Sequence, residues 1–496
     1  MGVSDLLESV LRDKRKVVVA AVLIIAVAAF ARLYHIEWSF SNNGIDEGIM
    51  LERSLLVSRG FDLYTELPCD QAPLAFLLGA GLDGDVVALR SLSAAMSILA
   101  ILACMYAARR IQGDLAMLVT GALLALDFAF LRESRLFSLD GMSAYFLAFS
   151  LLALLSYAKD RNRIALAIGG AMVGLSTAVK LFGGLALVGV ILFMILEFRR
   201  NSDKSSDLAR DLSILMVSAV APISVLLLLL GPSDMIQGMV FDQGGREFDA
   251  FLKLSLVAYF GVNPVYALPL LRARALWGTR PEVRLLLALS LTILAAMVVQ
   301  PLSFFHHMVV LSPALSILAG CLVGETLSSK KGNIRTGASS NSSKSGLSIV
   351  RAFAAVTMAT LVMGAGFAAY GLVGQGEPPS HNFVPYVESF SDEDDYIVAG
   401  DPLIAALAGR MVPPELVNVA FRAGDEVTEE EVIDAIVEHD VRVVIVCYKL
   451  NEMPGLISFL EEQGFRILGG LRQVDSAGVL DLFQEGDLTY TLYVLE

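Results

Sequence analysis

About eleven apolar runs, each close to 18 residues, leave this 496-residue chain few choices of fold. They cover 17–34, 88–107, 114–131, 141–158, 164–180, 181–198, 212–231, 251–271, 285–302, 307–325 and 352–373. A helix of that length crosses the ~30 Å hydrocarbon core and satisfies its own backbone hydrogen bonds there. With 55% hydrophobic residues and a mean hydropathy of +0.65, the chain reads as a polytopic α-helical membrane protein of about 11 transmembrane helices. The two runs that meet near Lys180 read either as two short helices or as one broken one.

Orientation follows from the basic residues. The segments 12–16, 109–110, 159–163, 199–210, 272–284 and 330–351 fall on one side if the runs alternate, and they hold 22 of the 37 Lys and Arg residues. That side is expected to be cytoplasmic and to include the N-terminus. An odd number of spans then puts the C-terminal region outside. The basic start and small residues of the first run also fit a signal peptide, but ten further runs favour a retained helix.

The expected organisation is a membrane domain, 1–375, followed by an acidic extracytoplasmic domain, 376–496. Within the first, residues 35–87 form a long outer loop. Residues 329–350 are Ser/Gly-rich and basic and read as a disordered cytoplasmic loop. From Glu377 onward there are 24 Asp and Glu against 6 Lys and Arg. That balance excludes nucleic acid as a natural partner. The C-terminal region alternates strand and helix patterns. Tyr396–Ala399, Val441–Val446, Phe465–Leu468 and Val479–Phe483 read as strands. Thr428 caps a helix with Glu429, Glu430 and Glu431 in its first turn, and a second helix covers about 453–463. The expected fold there is a small α/β domain with a largely parallel sheet. The four cysteines make no metal-like spacing. Cys69 and Cys447 lie on the same side, either paired or as free thiols.

The charged residues worth following sit at the outer edge. Asp46 and Glu47 come just after the first span, where two carboxylates belong at the membrane boundary or in a polar cavity. The run Glu47–Arg59 has an apolar side (Ile49, Leu51, Leu55, Leu56), a charged side (Glu52, Arg53, Arg59) and Gly60 at its end. It reads as a helix lying in the interface or as an amphipathic loop. The short loop LRESRLFSLDG packs Arg132, Glu133, Arg135 and Asp140 between apolar segments. These four either pair among themselves or line the cavity that holds Asp46. Arg246 lies in the loop 232–250. His306 and His307 open the tenth span after two aromatics. Adjacent histidines on a helix cannot both face one metal, so a metal site there is weakly supported. Lys180 either snorkels to the interface or meets an anionic ligand.

Such a set suits a reaction between a lipid-borne donor and a water-side acceptor. Transfer of a sugar from a polyprenyl phosphate needs a carboxylate base for the acceptor hydroxyl and cations at the departing phosphate. A single displacement inverts the anomeric centre. Asp46 fits the base.

The Asp46-Glu47 pair, the helix after it, Tyr64 with Asp70-Gln71-Ala72-Pro73-Leu74, the RESRLFSLDGM turn and the outer C-terminal domain together resemble the C-type membrane glycosyltransferases. The likeness is strongest to the protein O-mannosyltransferase and aminoarabinose transferase group. It is good over about the first 200 residues and topological beyond them. It implies a polyprenyl-phosphate sugar donor, catalysis in a cavity at the outer membrane face, and Asp46, Glu47 and Asp140 as the catalytic carboxylates. Where aminoarabinose transferases show Lys-Pro-Pro-Leu, this chain has Gln71-Ala72-Pro73-Leu74. That moves the phosphate contact to Arg135, Arg246, His306 or His307, beside Gln71. The β-trefoil-like insertion of eukaryotic mannosyltransferases is missing, so the acceptor stays open among lipid, glycan and protein. No cofactor is demanded, and assistance by a divalent metal stays open. The expected location is the cell membrane, as a multi-pass hexosyl- or pentosyltransferase among membrane lipids. The competing reading is a secondary transporter or flippase with its site near Lys180. Such proteins show internal repeats, and no second half here resembles the first.

Overall fold

Short polar side chains set where the apolar runs begin as helices. The computed structural model describes residues 13–495 except 39, 41–44, 202–204, 242–247, 336–339, 375–376, 420–426 and 475–486. The first span is α1 (Lys14–Leu33), with Asp13 accepting from the Arg15 N–H. Two outer-loop helices follow, α2 (Ile45–Ser58) and α3 (Leu74–Ala80). Then come α4 (Val86–Gln112), α5 (Asp114–Leu126), α6 (Phe128–Arg135), α7 (Leu139–Asp160) and α8 (Arg163–Val179). Asp85, Ser138 and Asn162 cap α4, α7 and α8 through their side chains. The body continues with α9 (Leu185–Asn201), α10 (Ser205–Leu230), α11 (Leu254–Val262), α12 (Pro264–Leu271), α13 (Pro281–Val299), α14 (Ser312–Arg335) and α15 (Ser340–Ala369).

Among the described residues, eight helices are long and apolar enough to cross a membrane, and two bent pairs bring this to ten. The 17-residue helix Arg163–Val179 accounts for the remaining apolar run. The segment 329–350, read as a disordered loop, carries the end of α14 and the start of α15, with 336–339 outside the described residues.

One bent pair, α5 and α6, turns by 59° at Asp127. Both halves of the break are satisfied. Arg32, fully buried in α1, donates to the carbonyls of Leu124 and Ala125 at 3.4 Å. Asp127 accepts from the Phe130 N–H at 3.1 Å. The orphan carbonyls of one helix and the orphan N–H groups of the next thus find partners inside the bundle. The bend aims α6, with Arg132, Glu133 and Arg135, at one end of the bundle.

The two ends differ. Arg109–Asp114 (2.7 Å), Arg110–Asp160 (3.6 Å), Arg163–Asp211 (2.6 Å) and Arg284–Glu197 (2.5 Å) gather at one. The other holds α2, the turn 136–138, Lys180, His306 and the C-terminal domain. Lys180 therefore marks the turn between the spans α8 and α9, which resolves the pair as two helices rather than one broken at mid-membrane.

In the C-terminal domain, α16 (Pro402–Ala408), α17 (Glu429–Glu438) and α18 (Pro454–Glu462) accompany four strands. These are β1 (Val398–Ala399), β2 (Val443–Val446), β3 (Arg466–Val474) and β4 (Asp487–Val494), in the order β1-β2-β4-β3. Thr428 and Glu431 form a capping box on α17, as expected. The expectation of a largely parallel sheet is corrected. Among the described strands β1 and β2 run parallel, while β4 pairs antiparallel with both β2 and β3. The helix–strand alternation stops after α18, and the last two strands pair directly. The strand expected at 479–483 lies outside the described residues. Cys69 and Cys447 are free, buried thiols.

The charged side expected for α2 is also corrected. Glu52 and Arg53 are 0% and 2% exposed. The C-terminal domain lies against α2, and the Val412 N–H donates to Glu52 Oε2 at 3.2 Å. A helix expected between lipid and water is instead clamped between two protein layers.

Candidate active site

The site is built where α2 begins. Asp46 and Glu47 occupy its first turn, where carboxylates are favoured by the exposed N–H groups. Neighbours on a helix point about 100° apart, and the two acids go to different places. Glu47 is buried and takes two bonds from Arg90, Nε at 2.8 Å and Nη2 at 2.6 Å, and a third from the Phe137 N–H at 2.9 Å. Arg90 also donates to the carbonyls of Ile36 and Glu37, at 3.0 and 2.8 Å. Glu47 is thus committed to holding the start of α2 against α4 and the α6–α7 turn. Asp46 is exposed.

The α6–α7 turn links Glu47 to the second acid. Three residues beyond Phe137 lies Asp140, 5% exposed. Its Oδ2 accepts from Lys180 Nζ at 2.6 Å and lies 4.0 Å from His306 Nε2. Its Oδ1 is buried with no hydrogen-bond partner among the described residues. His306 stacks on Phe304, and His307 meets His306 and Phe182 edge-on. Glu133 pairs with Arg132 at 2.6 Å and accepts from the Ser138 hydroxyl. The expectation that the four charges of this loop pair among themselves holds for Arg132 and Glu133 only.

Arg135 turns the other way. It donates to the carbonyls of Ala31 (2.9 Å), Arg32 (3.3 Å) and His35 (3.0 Å) and lies over the Phe40 ring. It closes the C-terminal end of α1, where a cation is favoured. Gln71 donates to Asp70 at 3.3 Å, and Arg53 approaches Asp70 at 3.6 Å. Arg246 lies outside the described residues. The structure therefore brings Asp140, His306 and His307 together. It puts Glu47 and Arg135 in supporting contacts and Gln71 in a separate cluster on the first outer loop. Sequence reasoning missed Arg90, a basic residue inside an apolar run, which is itself a signal of a buried counter-charge. It also missed that Lys180 is the partner of Asp140.

Asp140, His306 and His307 each offer an atom within 4.8 Å of the others, which are residue types that hold divalent ions. The fit is poor. The Lys180 ammonium already neutralises the one carboxylate, and a divalent ion would have to displace it. The cluster is better matched to an anion.

Electrostatics outside the spans follow from burial. Glu52 is held well above the usual carboxylate range by desolvation, against a bond from the Val412 N–H. Burial raises Asp401 to about 6 and lowers His381 to about 4, the latter also pushed down by Arg90.

Residues 79–230 match the family described as Dolichyl-phosphate-mannose-protein mannosyltransferase. That stretch contains Arg90, Glu133, Asp140 and Lys180. No curated protein matches the chain. Among solved structures, ArnT from Cupriavidus metallidurans bound to undecaprenyl phosphate has 16% identity and a TM-score of 0.63, over 96% of this chain and 97% of that one. The Archaeoglobus fulgidus oligosaccharyltransferase AglB, in complex with an inhibitory peptide and a dolichol-phosphate, has 15% identity and a TM-score of 0.57, over 91% of this chain and 72% of that one. The chain is a multi-pass membrane protein with the C-type glycosyltransferase fold. It is similar to the protein O-mannosyltransferase family over residues 79–230 and to ArnT in fold.

Proposed function

We propose that the chain is a glycosyltransferase that moves a hexosyl or pentosyl group from a polyprenyl-phosphate donor to a lipid, glycan or protein acceptor at the outer membrane face, with inversion. The observation that carries this reading is the division of labour in the first turn of α2. Glu47 is pinned by Arg90 and the Phe137 N–H, while its neighbour Asp46 is left exposed in the same helical turn. Asp46 takes the proton of the acceptor hydroxyl as it attacks the anomeric carbon. The departing phosphate is met from the side of His306 and His307. Glu47 and Arg135 act by positioning, one at the start of α2 and the other at the end of α1. The basic residues at the far end of the bundle support a cytoplasmic N-terminus and an outer C-terminal domain. Lys180 stands at a turn and not at the membrane midplane, which disfavours the transporter reading.

The test is transfer from a labelled polyprenyl-phosphate sugar in membranes carrying the protein or its Asp46→Asn variant. Loss of about 10²-fold or more is expected, the scale of a removed general base. Unchanged transfer would sink the role of Asp46. Solute uptake without transfer would favour the transporter.

A further inference from the structure

We infer that Lys180 is the cation that receives the donor's phosphate, with Asp140 as its resting counter-ion; this rests on the glycosyl-transfer reading above. Two of the most deeply buried ion pairs in the bundle set the comparison. Glu47 is held by two nitrogens of Arg90, and Glu197 by two nitrogens of Arg284 at 2.5 and 2.8 Å. Both are forked pairs with both carboxylate oxygens used, the geometry suited to a permanent buried contact. The Asp140–Lys180 pair is different. A single contact of 2.6 Å joins them, and Asp140 Oδ1 is left without a hydrogen-bond partner among the described residues. Lysine is a compact charge on a flexible stem with three donors, able to change partners.

The place suits an exchange of partners. Lys180 sits in extended backbone (φ −151°, ψ 131°) between α8 and the turn at Leu181, so its side chain leaves from a helix end at the site's end of the bundle. Its side chain is 13% exposed, against 0% for Arg90, so it is not sealed inside the bundle as Arg90 is. Its ammonium lies 5.3 Å from the centre of the Phe182 ring. His306 stands 4.0 Å from the same Asp140 oxygen, beyond hydrogen-bond reach, and its side chain is 16% exposed. An ammonium and the His306 imidazole thus face one oxygen of a single carboxylate, with the His307 ring against His306. That arrangement fits an oxyanion with several oxygens.

The charge change of the reaction makes the assignment specific. The acceptor oxygen bonds to the anomeric carbon, and its proton goes to Asp46. The bond from that carbon to the phosphate oxygen breaks, and its electron pair stays on the phosphate. A diester carrying one negative charge becomes a monoester that carries up to two. A cation fixed beside that oxygen is worth more after bond breaking than before it, which is the condition for accelerating the step. As Lys180 turns to the phosphate, Asp140 is left facing His306.

The experiment uses the full chain in detergent, with undecaprenyl phosphate as the probe and inorganic phosphate as the control. Binding is compared for the wild type, Lys180→Arg, Lys180→Met and the double variant Lys180→Met/Asp140→Asn. The double variant removes both charges, so neither is left buried alone if the single variant misfolds. Wild-type binding of the lipid with a transfer activity establishes the parent reading, and its absence would overturn that reading first. Given it, the double variant should bind the lipid about 10- to 100-fold more weakly, the range for losing a charged hydrogen bond. Lys180→Arg should stay within a few-fold. Wild-type affinity in the double variant would overturn the assignment and leave the pair as structural. Equal affinity of the wild type for inorganic phosphate would overturn the assignment to a donor.

Discussion

Glu47 and Arg90 meet through two parallel bonds, 2.8 and 2.6 Å long, and this pair decides which of two adjacent carboxylates faces outward. A buried pair broken on one side leaves an uncompensated charge, at a cost of about 3–5 kcal/mol. Glu47→Gln should therefore lower the thermal unfolding temperature and the yield of inserted protein. Asp46→Asn, at an exposed position, should leave both unchanged while abolishing transfer. Equal loss of stability in the two variants would contradict the separation of roles.

The C-terminal domain should respond to pH through two groups of opposite sign. The folded-state pKa of Asp401 is raised to about 6. Its contribution is full below the ordinary carboxylate range and is lost as pH rises toward 6. His381 is lowered to about 4, so its neutral form is favoured in the fold. Its penalty falls on the folded state below the ordinary histidine range and disappears as pH rises from about 4 toward 6.5. Relative to the wild type, Asp401→Asn should gain stability on going from pH 4 to 6. His381→Gln should lose its advantage over the same interval. Thermal unfolding across that range checks both slopes.

The spans were legible because they are local patterns: length and apolarity alone predict them. Thr428 with Glu431 was legible for the same reason, since a cap and its partner lie three residues apart. The pairings that shape the site were not. Glu47 and Arg90 are 43 residues apart, Asp140 and Lys180 are 40, and Glu52 meets Val412 across 360. Nothing in a helical period says which buried acid finds which base. The amphipathic pattern of α2 was misleading in a specific way. Glu52 and Arg53 look like a solvated face until a second domain covers them.

Arg135 lends itself to a test of positioning against binding. Its three carbonyl partners, Ala31, Arg32 and His35, lie in the last turn of α1 and just beyond it. Arg135→Gln should therefore lower the unfolding temperature, since orphan carbonyls at a helix end lose their donors. The affinity of the folded fraction for undecaprenyl phosphate should be unchanged. A large loss of affinity with normal stability would return Arg135 to the phosphate site.

Gly48 fixes how closely the C-terminal domain approaches α2. A Cβ at this position would lie 2.7 Å from the Pro402 carbonyl carbon and 2.8 Å from Leu403 Cα, both backbone atoms at the start of α16. Backbone cannot swing aside as a side-chain tip can, so Gly48→Ala must separate the helices or tilt them. Overpacking of this kind typically costs about 1–3 kcal/mol. Separation would expose the neighbouring contact, where Glu52 accepts from Val412. Hydrogen exchange of the Val412 amide should therefore quicken in Gly48→Ala, while amides inside α7 keep their protection. Transfer should fall as well, because Asp46 sits half a turn from Gly48 and moves with it. If Val412 kept its protection and transfer stayed normal, the domain would be shown to tolerate the shift, and close docking on α2 would not be what holds Asp46 in place.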